Sequence, residues 1–107
     1  MPAAGDMNQE AVCRQTVVVR SPSGLHLRPI SQIVEVVRRW GCRVTIRYGD
    51  RTVPADNVLD LMTLNAGHGT SLELEAHGES ALQTIEEIAR LFETDFADNE
   101  DDEPAAS

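Results

Sequence analysis

Hydrophobic periodicity switches repeatedly between two residues and 3.6 residues along this chain, with glycine or proline close to the switches. A chain with that rhythm must alternate strands with helices, because each period buries one face of only one kind of element. Gln15–Arg20 centres on Val17, Val18 and Val19 and reads as a strand. Ser21-Pro22-Ser23-Gly24 ends it with turn chemistry. Pro29 then suits the first turn of a helix, where backbone N–H groups have no helical acceptor. Ile30, Ile33, Val34 and Val37 line one face of that helix, and Gly41 stops it.

Arg43–Tyr48 alternates polar and apolar, Gly49-Asp50 turns, and Arg51–Val53 returns as an edge strand cut short by Pro54. Asp56 or Asn57 can cap a short helix through Leu64, with Val58, Leu61 and Met62 on its apolar side. Thr70–His77 alternates again, and Gly78 breaks it. Ala81, Ile85, Ile88, Ala89 and Phe92 define a last amphipathic helix. The predicted order is βαββαβα. Strands with one polar face each call for an α+β fold, with an antiparallel sheet wet on one side and helices on the other.

At 107 residues there is room for one such domain. The charge is unevenly placed. All nine basic residues are arginines between Arg14 and Arg90, and ten acids accompany them as far as Glu93. Eight further acids sit at the two ends, so nearly all of the formal charge of −9 belongs to the ends. We therefore expect a flexible extension over 1–13, a domain over 14–96 and a disordered acidic tail over 97–107. No basic patch stands out and aromatics make up 4%, which argues against a nucleic-acid partner. No apolar run is long enough to span a bilayer, so no membrane insertion is expected. Cys13 and Cys42 have neither metal nor redox spacing, which fits a cytoplasmic protein. The absence of lysine removes Schiff-base chemistry and a P-loop lysine. No cofactor and no metal are expected; His68 and His77 read as loop and strand-end residues.

The segment Gly24-Leu25-His26-Leu27-Arg28-Pro29 carries the chemistry. It puts an imidazole at the start of a helix, where unpaired N–H groups and the positive end of the helix dipole favour an anion. Gly24 allows close backbone approach, and Arg28 offers a planar fork of donors to phosphate oxygens. A nucleophile, an anion site and an arginine together describe phosphoryl transfer to and from a histidine.

That segment resembles the active-site motif G-L-H-x-R-P of the HPr family, the histidine-containing phosphocarriers of the bacterial phosphoenolpyruvate-dependent phosphotransferase system. The resemblance runs from Arg14 to Phe96 and includes Asn57–Leu64 and Gly69-Thr70. It implies an open-faced β-sandwich with four antiparallel strands in the order 1-4-2-3 and three helices on one face. It further implies that His26 accepts a phosphoryl group on Nδ1 from Enzyme I and passes it to a histidine of an EIIA domain, for sugar uptake or for regulation. By the same resemblance, Arg28 pairs with the phosphate, and the backbone at Gly24, Leu27 and Arg28 helps to hold it. Leu27, Val58, Leu59 and Met62 would meet partners, with Leu61 turned inward. The protein would be a carrier and not an enzyme, and a monomer. Many Gram-positive members have a regulatory serine at the start of the second helix; Asn57 stands here and has no hydroxyl to phosphorylate. The alternative reading is a regulatory module of the same fold, either of the nitrogen-branch NPr kind or without phosphotransfer.

Overall fold

A computed structural model describes residues 11–97. The strands are β1 (Val12–Val18), β2 (Arg43–Tyr48), β3 (Arg51–Pro54) and β4 (Ser71–His77). The helices are α1 (Leu27–Trp40), α2 (Val58–Met62) and α3 (Ala81–Glu93). The strands form one antiparallel sheet in the order β1-β4-β2-β3. This is the α+β architecture expected from the sequence and its resemblance.

Register explains the two faces. Ile46 stands opposite Leu74 on one side and Val53 on the other, and Val44 stands opposite Ala76. All five side chains point inward and are buried. Their neighbours point outward: Arg47 pairs with Glu73, and Arg14 approaches Glu75 at 3.5 Å. These exposed cross-strand ion pairs add little stability, but they satisfy a face that is not packed. The helices close the inner face. Ile30, Ile33 and Val37 of α1, Leu61 of α2, and Ile85, Ile88 and Phe92 of α3 join the sheet residues in one core. Each such side chain contributes roughly 1.5–3 kcal/mol on burial.

Element ends differ from the periodicity in informative places. β1 begins at Val12 and stops at Val18. Val12 and Cys13, assigned to the extension, pair with His77 and Ala76, so the length of β4 fixes where β1 starts. α2 ends at Met62, with Thr63 and Leu64 already in a turn. Residues 1–10 and 98–107, which hold most of the expected extension and acidic tail, lie outside the described residues. Cys42 is half-buried against the core, and its thiol donates to the His77 carbonyl at 3.2 Å.

Three hydrogen bonds orient the helices. Trp40 at the end of α1 donates its indole N–H to Glu87 of α3 at 2.8 Å, and Arg39 donates to the other Glu87 oxygen at 2.9 Å. Arg38 donates to the Asp56 carbonyl at 3.1 Å, which fastens α1 to the approach of α2. Among the described residues, no helix is long and apolar enough to cross a membrane.

Candidate phosphoryl-acceptor site

The site is built where β1 gives way to α1. The Gly24 amide donates to the Ser21 carbonyl at 2.9 Å and closes a turn. Gly24 has φ of 78°, a left-handed conformation that costs glycine little. The next amide, of Leu25, donates to the Ala66 carbonyl at 2.8 Å. The turn is thereby stitched to the loop before β4, and Leu25 itself is buried. The chain leaves this anchor and enters α1 with His26 as the N-cap residue.

His26 has extended backbone, and its side chain makes no capping hydrogen bond to the helix. The ring is exposed and not consumed as a cap. The first helical bond is donated by the Ile30 amide to the His26 carbonyl at 3.0 Å. The Leu27 and Arg28 amides precede it, and Pro29 has none to offer, so two N–H groups at this helix end lack a helical acceptor. The basic residues Arg38 and Arg39 lie at the opposite end of α1, and its first turn holds no acid to compete for an anion.

His26 and Arg28 share a small pocket of about 160 Å³ with Ser21, Pro29, Asp95 and Phe96. The structure thus joins the two side chains named from the sequence at one depression beside a helix N-terminus. It adds Asp95 and Phe96 from the far end of the described chain. Both have left-handed backbone, with φ of 54° and 61°, a conformation that costs roughly 1–3 kcal/mol per non-glycine residue. Burial of Phe96, its edge-on contact with Phe92 at a centroid distance of 5.0 Å, and its amide bond to the Leu91 carbonyl hold that turn in place. No local sequence signal marks Asp95, which is one acid among several near the end of the chain.

The surface residues fall into distinct classes. Leu27 is 56% exposed, Leu59 73% and Met62 46%, whereas Leu61 has no exposed surface. Val58 is half-buried and packs on the core. Asn57 caps α2: its side-chain oxygen accepts the Asp60 amide at 3.0 Å. His77 lies 3.0 Å from a Glu75 oxygen at the end of β4, and His68 is exposed in a loop. Among the described residues, no group of three His, Cys, Asp or Glu side chains is placed to hold a metal ion.

Comparison with known proteins shows the family. The family model described as "PTS HPr component phosphorylation site" matches residues 13–94. Phosphocarrier protein HPr of Chlamydia muridarum is 30% identical over 81 residues, which cover 76% of this chain and 78% of that protein. Phosphocarrier protein NPr of Klebsiella oxytoca is 29% identical over 84 residues, covering 78% and 93%. The crystal structure of phosphocarrier protein HPr from Bacillus anthracis superposes with a TM-score of 0.72 at 26% identity, covering 77% of this chain and 98% of that one.

Proposed function

The chain belongs to the HPr family of phosphotransferase-system phosphocarrier proteins, which carry a phosphoryl group and are not themselves catalysts, and on that premise we propose that His26 is its phosphoryl acceptor. The observation that carries this reading is the pocket shared by His26 and Arg28 at the start of α1. The donor is Enzyme I and the acceptor is a histidine of an EIIA domain. On loading, one N–P bond breaks on the Enzyme I histidine as one forms at Nδ1 of His26; on unloading, that bond at Nδ1 breaks as one forms on the EIIA histidine. Each ring keeps the proton on its other nitrogen, so no water or electron pair is left over. The Arg28 side chain and the amides of Leu27 and Arg28 at the helix start hold the phosphate oxygens, and Gly24 fixes the turn that presents them.

Docking falls to the exposed apolar residues Leu27, Leu59 and Met62, with Val58 at the edge of an open groove of about 620 Å³ between α1 and α2. The carrier acts in the cytoplasm as a monomer. Two relatives, Crh of Bacillus subtilis and an HPr of Thermoanaerobacter tengcongensis, form dimers in their structures, so a mass measurement in solution tests the monomer reading. The NPr relative favours a nitrogen-branch role as the second reading. Asn57 excludes phosphorylation at the family's serine position in either case.

The test supplies phosphoenolpyruvate, Mg²⁺ and Enzyme I, and looks for acid-labile phosphate on the chain. The parent should be labelled and His26→Ala should not. Full labelling of His26→Ala would remove His26 from its role. Offering sugar-branch and nitrogen-branch EIIA domains to the labelled carrier then separates the two readings by rate.

A further inference from the structure

A carboxylate occupies the wall of a pocket built for an anion. Asp95 lines the same depression as His26 and Arg28. Its position is not left to a loose chain end. Its left-handed backbone is followed by the left-handed Phe96, and Phe96 is buried, stacked edge-on against Phe92 and bonded through its amide to Leu91. The turn therefore holds a negative charge beside the acceptor in spite of an unfavourable backbone.

A phosphoryl group on a histidine adds close to two negative charges where none stood before. The Asp95 carboxylate repels that charge, while Arg28 and the helix amides attract it. The repulsion exists only when His26 is phosphorylated, so it raises the energy of the loaded carrier relative to the empty one.

We propose that Asp95 tunes the phosphoryl-transfer potential of His26, weakening the hold on the phosphoryl group so that it passes on more readily. The proposal rests on His26 being the acceptor. Asp95 forms and breaks no bond; the exchange still consists of one N–P bond lost on the Enzyme I histidine and one gained on His26.

The experiment equilibrates the full chain with a limited pool of phosphorylated Enzyme I and measures the ratio of the two phosphohistidines. Asp95→Asn removes the charge, and asparagine tolerates left-handed backbone. Asp95→Gly removes it while easing φ, and Asp95→Glu restores it. The two neutral variants should shift the equilibrium toward phospho-His26 by about three- to tenfold at low salt, with the shift shrinking as salt is added. Asp95→Glu should remain close to the parent. An unchanged ratio in both neutral variants, a shift toward Enzyme I, or a shift indifferent to salt would overturn the proposal. A parent chain that takes no phosphate at all would overturn the carrier reading instead, and this one with it.

Discussion

Gly24 lies against the carbonyl of Ala66 so closely that a Cβ at position 24 would come within 2.8 Å of that oxygen and 3.1 Å of the Gly67 Cα. Both obstacles are backbone and cannot swing aside. The same Ala66 oxygen accepts the Leu25 amide, so any retreat would break the bond that holds the turn before His26. Gly24→Ala also meets a left-handed φ of 78°. We expect it to lower stability by about 2 kcal/mol or more and to slow phosphorylation further by displacing the helix entry. Chemical denaturation and the Enzyme I assay measure the two effects; a variant with parental values in both would show that the contact is dispensable.

Arg28→Lys should separate transfer from folding. The side chain is exposed, so the thermal midpoint should move by no more than a few degrees. Lysine keeps the charge but loses the planar fork, and loss of one charge-assisted bond should slow transfer by about tenfold or more. Parental transfer rates in this variant would exclude Arg28 from phosphate binding.

Leu59 and Leu61 are two residues apart on α2 and should behave oppositely. Leu59 is 73% exposed and Leu61 is fully buried. Leu61→Ala should cost about 2–5 kcal/mol of stability. Leu59→Ala should leave stability within about 0.5 kcal/mol while raising the Enzyme I concentration needed for half-maximal phosphorylation. Titration of Enzyme I against both variants checks this, and an unchanged Leu59→Ala titration would place docking elsewhere.

Glu87 links acid stability to the α1–α3 contact. Burial pushes its carboxyl upward, but hydrogen bonds from Trp40 and Arg39 and the charges of Arg39 and Arg90 outweigh it and hold the group below its ordinary value of 4.5. A carboxylate depressed in the folded state adds stability that is complete above the unfolded value and is lost as pH falls through the folded one. Unfolding of the parent should therefore become easier as pH drops below about 4.5. Glu87→Gln should be less stable near neutral pH and show a flatter curve through that acidic window. Parallel curves for the two proteins would show that the contact does not respond to protonation.

The sequence by itself determined the order of elements, because a two-residue or a 3.6-residue period can bury only one kind of face. Ile46 and Leu74, or Ile30 and Ile33, could be assigned inward without knowing their partners. It also supplied His26 and Arg28, since a glycine turn, a histidine and a proline-bearing helix start lie side by side in the chain. Asn57 as a cap was legible for the same local reason. Only the tertiary structure decided what lies across from them. The Ala66 carbonyl meets Gly24 from a position more than forty residues away. Asp95 and Phe96 reach the His26 pocket from the end of α3. Leu59 and Leu61 are the same residue type on one short helix, and their exposures differ because α1 and β3 cover only one side of α2. Local pattern fixes which way a side chain points relative to its own element. Contacts between distant segments depend on how the elements pack, and no window of sequence contains that information.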